Sequence, residues 1–265
     1  MGHHIVQAED IHYTYPDGTV GLNGASFRIT HGESVALVGA NGAGKSTLLL
    51  HLNGYLSATQ GRVSIGDYPL TSKNMKIVRR SVGMVFQNPD DQLFMPTVFD
   101  DVAFGPLNLG LAEAEVELKV MQALETVGVP HLRQRPPYKL SGGEKRAVAI
   151  ATVLAMSPDI LVMDEPTASL DPKSRSRLIA LLKTFHHTKI VATHDLDMAM
   201  DLCDRTIVLH QGKITADGPT LELFQDEDLL ARSGLEKPLK MQGCTLCGPK
   251  QRADAPSDSK TGNGN

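Results

Sequence analysis

Four short apolar runs, rich in β-branched residues, punctuate the chain: "SVALVG" over 34–39, "GMVFQ" over 83–87, "DILVMDE" over 159–165 and "KIVATHD" over 189–195. Runs this short and uninterrupted suit parallel strands covered on both faces, because a strand with one wet face alternates apolar and polar positions. Between them the period becomes helical. Leu178, Leu181, Leu182 and Phe185 form one apolar stripe, and Val116, Val120, Ala123, Leu124 and Val127 form another. Asp171 stands at the N-cap before the first stripe, with Pro172 at the first helical position, where a missing N–H costs nothing. Two further stretches read as antiparallel. These are "YTYPDG" followed by "ASFRIT", and "RTIVLHQGKITADG", where Gln211–Gly212 turns a hairpin. Strands alternating with helices predict an α/β fold, a sheet with helices packed on it. From about Ser233 onward the apolar period ends, and "APSDSKTGNGN" predicts a flexible tail over 233–265.

Composition removes several classes. The formal net charge over 265 residues is -4, so no global basic field points to nucleic acid or to an acidic membrane surface. The longest small-apolar segment, Ala147 to Met156, is too short for a bilayer span, which needs about 20 residues. "MGHHIVQAED" has no apolar core and reads as no secretory signal. Cys203, Cys244 and Cys247 make no disulfide framework, which suits a reducing cytoplasm.

"GANGAGKST", residues 39–47, follows a strand and opens a helix, the context a phosphate-binding loop requires. Glycines at 39, 42 and 44 let backbone amides approach phosphate oxygens, and the helix carrying Leu48, Leu49 and Leu52 aims its positive end at the same anion. The loop residues Gly39, Asn41, Gly42, Gly44, Lys45, Ser46 and Thr47 are expected to hold a nucleotide, Lys45 on the β- and γ-phosphates and the Ser46 hydroxyl on Mg²⁺. A chance glycine turn is the alternative. "ILVMDEP" ends a strand in Asp164, suited to the Mg²⁺ shell, and in Glu165, suited to orient or deprotonate an attacking water. Two solvated acids closing a strand is the plain alternative. His194 closes the last parallel run, where it is either structural or in reach of that water.

"LSGGEKRAVAIATVLAM", residues 140–156, places Ser141, Gly142 and Gly143 at a helix start, with Ala147, Ile150, Ala151 and Leu154 on the buried face. This is a second anion-seeking helix end in one chain, or else a glycine-rich cap. Two chains related by a two-fold axis would let each such end close on the partner's nucleotide.

The set Tyr15, "GANGAGKST", Gln87, "LSGGEKR", "ILVMDEP", "SLD" over 169–171 and His194 resembles the ATP-binding-cassette ATPases, in the family's motif order and over residues 5–232. The resemblance implies a P-loop NTPase of this type, with a RecA-like mixed sheet core, an antiparallel β subdomain and a helical subdomain over 89–157. It implies ATP and Mg²⁺, Tyr15 stacked on adenine, and Asp171 at a dimer interface. It assigns Glu165, His194 and Gln87 to catalysis, and Ser46, Gln87 and Asp164 to Mg²⁺. Stacking reads a base weakly, so GTP is expected to be a tolerated substrate.

The string "QNPDDQLF", followed by "TVFDDVAFGPLNLGL", resembles the energy-coupling-factor branch, which drives uptake of vitamins and transition metals. Residues 192–219 are similar to the cobalt- and nickel-transport ATPases. This resemblance implies integral-membrane partners docking at the loop Gln87–Phe94, a homodimer or mixed ATPase pair, and peripheral placement on the cytoplasmic face of the cell membrane. Asp90 and Asp91 are expected either to meet basic partner residues or to form a solvated acidic turn. His4 behind a free N-terminus, after His3, has a spacing that chelates Ni²⁺ or Cu²⁺, and Cys244-x-x-Cys247 is half of a tetrahedral site; plain flexible termini are the alternative. A nucleic-acid clamp is disfavoured, since 44–141 holds neither heptads nor a basic run, and a ribosome-acting protein normally has two cassettes.

Overall fold

The computed structural model describes residues 6–168 and 170–242. β1 (Val6–Thr14) and β2 (Val20–Ile29) pair antiparallel; after β3 (Ser34–Val38), β4 (Gln60–Ile65) and β5 (Tyr68–Pro69) complete a four-stranded sheet of order β2-β1-β4-β5. β6 (Val82–Val85), β7 (Ile160–Asp164), β8 (Thr188–Thr193), β9 (Arg205–His210) and β10 (Lys213–Pro219) join β3 in a second sheet of order β10-β9-β3-β8-β7-β6. Its strands run parallel except β10, which returns antiparallel at the edge. The hairpin forms where expected: Gln211 and Gly212 both take positive φ, 49° and 74°, matching a tight turn to the strand twist.

The uninterrupted apolar runs have the anticipated cause. In β3, Val35 and Leu37 enter one core while Ala36 and Val38 enter another. The first core lies between the antiparallel sheet, α1 (Lys45–Leu52) and one face of the parallel sheet; α2 (Met75–Ser81) leads into β6. α3 (Val98–Asn108), α4 (Glu113–Thr126) and α5 (Gly142–Leu154) form a helical arm with a core of its own, around Val102, Val120, Leu124 and Val148. α6 (Pro172–Thr184) and α7 (Leu196–Leu202) cover the other face of the parallel sheet, followed by α8 (Thr220–Leu223) and α9 (Glu227–Arg232). Burying each large aliphatic side chain there contributes about 1.5–3 kcal/mol.

Two expectations change. α5 does not bury a single stripe: Arg146, Val148, Ala149, Thr152 and Val153 are buried along with Ile150 and Ala151, while Ala147 and Leu154 are only half-buried. The reason is that Val148 and Ala151 pack in the arm while Ile150 and Val153 pack on the parallel sheet, so α5 is the wall shared by two cores. Nor does the chain leave the body at Ser233. Ser233 is 1% exposed, Leu235 packs against the second core, and the amides of Leu239 and Lys240 donate to the Asp197 carboxylate at 3.0 and 2.9 Å. Residues 243–265 with Cys244 and Cys247, the N-terminal His3 and His4, and Ser169 lie outside the described residues. Among those described, no helix is long and apolar enough to cross a membrane.

Candidate functional site

Sheet register gathers the site. Val38 at the end of β3 pairs with Thr193 at the end of β8, and Asp164 at the end of β7 pairs with Ala192. Gly39, His194 and Glu165, the next residue in each case, therefore stand side by side at the carboxyl edge of the parallel sheet, where α/β folds gather ligands.

The loop between β3 and α1 is built by close approach. A Cβ on Gly39 would stand 2.2 Å from the Leu209 carbonyl oxygen, so no other residue fits without moving β9. Gly44 is the N-cap of α1 at φ 104°, and a Cβ there would stand 2.4 Å from the Gly21 carbonyl oxygen. Having no side chain, Gly44 cannot satisfy the first N–H groups of α1, which are left for an anion. Lys45 is buried and its Nζ donates to the carbonyls of Gly39 at 2.8 Å and Ala40 at 3.2 Å. Burial pulls its pKa down, against the opposing pull of the Glu165 and Asp164 charges. Such a desolvated ammonium, held only by neutral carbonyls, is poised to take phosphate oxygens instead. The Tyr15 hydroxyl hydrogen-bonds Thr47 Oγ1 at 2.8 Å, and the Tyr15 ring stands edge-on to Tyr13, which fixes it beside the loop.

The acids take different environments. Asp164 is buried, and its Oδ1 has no hydrogen-bond partner among the described residues. Burial raises its pKa, opposed chiefly by a hydrogen bond with Ser46 and then by the charges of Lys45 and Arg146. An unpartnered carboxylate oxygen beside a hydroxyl is the hard-oxygen donor set that Mg²⁺ takes, so the residues present fit the ion. Glu165 lies just past the strand in a left-handed conformation, φ 46°, uncommon for a residue with a Cβ. Three donors hold its buried carboxylate: the His194 amide at 3.0 Å and ring Nδ1 at 2.8 Å on Oε1, and Thr193 Oγ1 at 3.1 Å on Oε2. The His194 side chain is 60% exposed and lines a cavity together with Ala40 and Asn41 of the loop. His194 thus acts on Glu165 directly.

Gln87 lies two residues beyond the end of β6 and is exposed, not at the strand terminus expected. Its carbonyl accepts from Arg146 Nη2 at 2.5 Å, and that of Phe86 from Nη1 at 2.8 Å. Ser141, Gly142 and Gly143 open α5 as expected. Ser141 forms a capping box with Glu144, its hydroxyl and amide both donating to Glu144 Oε2 at 2.8 Å. Asp171 caps α6, accepting from the amides of Lys173 and Ser174 and from the Ser174 hydroxyl at 2.6 Å. The α5 and α6 starts face one cavity of about 730 Å³, lined by Ser141, Gly143, Asp171 and Ser174 among others.

The family model for ABC transporters matches residues 22–168, across the loop, the α5 start and both acids. The chain belongs to the ABC transporter family. This ABC ATPase binds ATP with Mg²⁺ and hydrolyses ATP. A Geobacter sulfurreducens protein that carries the name of an ABC transporter ATP-binding protein is 66% identical over 94% of this chain and 100% of its own length. The energy-coupling factor transporter ATP-binding protein EcfA of Methanocaldococcus jannaschii is 48% identical over 89% of this chain and 86% of its own. Among solved structures, CbiO1 from Clostridium perfringens, part of the ABC transporter complex CbiONQ, is 40% identical with a TM-score of 0.76, covering 87% of this chain and 94% of its own.

Three side chains of this ABC ATPase escaped the motif reading. Arg146 carries the tie between α5 and the Gln87 loop; the available signal was a cation one turn before Ile150, on the face that should be apolar. Gln92 accepts from the Phe86 amide at 3.1 Å and donates to the Ala149 carbonyl and Thr152 Oγ1 at 2.8 and 2.7 Å, making a second tie. Glu144 was visible only as the fourth residue of a Ser-x-x-Glu capping pattern. The acidic turn also has an owner inside the chain. Lys145 Nζ meets Asp90 at 2.6 Å, so this carboxylate has a basic neighbour within the chain while its side chain stays 61% exposed.

Proposed function

We propose that two copies of this ABC ATPase close on ATP and drive an importer of the energy-coupling-factor type, with a transition metal ion, cobalt or nickel, as cargo. The observation that carries this reading is a hydrogen-bonded path from α5, whose start would close on the nucleotide, to an apolar surface. Gln87 and Phe86 are gripped by α5 through Arg146, Gln92 staples the same loop to α5, and two residues on Phe94 stands 64% exposed. Phe94 meets Phe104 edge-on, with ring centroids 5.1 Å apart, and Leu107, one helical turn on, is also exposed. An apolar patch at the mouth of a loop is where a short helix of a membrane partner would lie. The likeness to EcfA and to CbiO1 supports the importer type.

In this reading residues up to 242 form the ATPase, residues 89–157 are its helical subdomain, and the protein sits peripherally on the cytoplasmic face of the membrane, held by its partner. Tyr15 stacks on adenine. Gly39, Asn41, Gly42, Gly44, Lys45 and Thr47 hold the phosphates, and Ser46, Asp164 and Gln87 would hold Mg²⁺. When bound, Mg²⁺ would neutralise charge on the phosphates. Glu165 orients the attacking water and accepts its proton, while His194 keeps that carboxylate in place. Ser141, Gly142 and Gly143 of the partner copy close on the γ-phosphate, with Asp171 beside that interface. The γ-phosphate is bound by both copies and so is the differential contact between open and closed states; hydrolysis removes it.

The test is isolation of the tagged chain from membranes. Integral subunits should accompany it together with cobalt or nickel; a bound vitamin would overturn the cargo. The pair Phe94→Ser and Phe104→Ser should release the chain from the membrane fraction while ATP binding persists. Retention at the parent level would contradict the docking surface.

A further inference from the structure

Both polar hydrogens of Ser141 converge on one oxygen: amide and hydroxyl each reach Glu144 Oε2 at 2.8 Å. The reciprocal bond, from the Glu144 amide to Ser141 Oγ, is long at 3.4 Å. We infer that Glu144 is a positioning residue whose carboxylate occupies the Ser141 donors in the open form and competes with the partner copy's γ-phosphate for them. This inference rests on the reading in which the start of α5 closes on that phosphate.

The conflict is one of counting. A serine hydroxyl has one proton and cannot donate to a carboxylate and a phosphate at once. A carboxylate in the first turn of α5 also takes the benefit of the helix N-terminus that an incoming phosphate would take. Hydrogen bonds from Ser141, and more weakly the charges of Arg135 and His131, keep the carboxyl ionised, with a lowered pKa. Closure on ATP therefore exchanges an internal anion for an external one and brings two like charges together. Glu144 is only half-buried while Ser141 and Gly142 are exposed, so the exchange needs no repacking of the core. The consequence is that Glu144 sets the ATP concentration at which the pair closes.

The test uses the full chain in a Glu165→Gln background, with dimerisation followed by sedimentation at rising ATP in Mg²⁺ buffer. Glu144→Gln keeps an amide oxygen for the Ser141 N–H but removes the charge. It should lower the half-maximal ATP concentration by about three- to tenfold at low salt, a gain that shrinks in high salt. Glu144→Asp, which keeps the charge, should show no such gain. A midpoint unchanged or raised in Glu144→Gln, with its melting temperature reduced, would reduce Glu144 to a helix cap and overturn the inference. Ser141→Ala separates the two levels. If it closes at the parent's ATP concentration, the two-copy reading itself fails; if it weakens closure while Glu144→Gln does not tighten it, only the competition fails.

Discussion

Arg146 and Gln87 are joined side chain to backbone: one guanidinium arm donates to the Gln87 carbonyl at 2.5 Å while the other takes Phe86 at 2.8 Å. Arg146 lies on the first turns of α5, the helix whose start offers Ser141, Gly142 and Gly143, so one side chain ties the Gln87 loop to that helix. The same cation lies in the field of Asp164.

Arg146→Ala should therefore cost both stability and turnover. It strips two carbonyls of their donor and a buried carboxylate of a nearby positive charge, which together amount to about 2–4 kcal/mol. A lowered urea midpoint with an unchanged slope is the expected outcome. Arg146→Lys keeps the charge but not the fork, and should recover only part of the loss.

Glu165→Gln is expected to bind ATP, close and stall. The amide oxygen in the Oε1 position can still accept from the His194 amide, and the amide NH₂ in the other position can donate to Thr193 Oγ1, so the left-handed turn at residue 165 survives. Loss of the proton acceptor should reduce turnover by about 10²–10⁴-fold. Single-turnover hydrolysis at the parent rate would remove Glu165 from its role.

The sequence made plain those features whose cause is local. The phosphate loop, the two acids, the Asp171–Pro172 helix start and the Gln211–Gly212 turn each carry their geometry in three to nine consecutive residues. The parallel strands were legible because burial on both faces erases alternation. What stayed hidden depends on partners far along the chain. Arg146 and Gln87 are 59 positions apart, and a pair of polar groups satisfying one another leaves no period in either segment. α5 was misread as one-sided because nothing local says that two cores share it. The stretch 233–242 was misread as tail because its hold on Asp197 runs through backbone amides, which any sequence possesses.

A pH dependence follows from Asp101. Its Oδ1 accepts the amides of Phe94 and Met95, both at 3.0 Å, which shapes the turn carrying Phe94, while its Oδ2 is buried without a partner. Burial raises its pKa, outweighing those two hydrogen bonds. With the folded value above the unfolded one, the contribution of this group to stability is full in acid and is lost as pH rises through the raised value. Asp101→Asn does not titrate. Its stability relative to the parent should climb between the ordinary carboxylate range and the raised value, then level off. Paired urea titrations across acidic and neutral pH check the slope, and a relative stability that falls with rising pH would contradict it.

Mixing two inactive variants tests the two-copy site most directly. Lys45→Ala removes the cradle from one copy, and Ser141→Ala removes the closing hydroxyl from the other. In a mixed pair, one site joins Lys45 of the second copy to Ser141 of the first and is whole. ATPase activity well above the sum of the separate variants is the expected result. Activity no greater than that sum, at concentrations where mixed pairs demonstrably form, would mean that cradle and helix tip never share a nucleotide across copies.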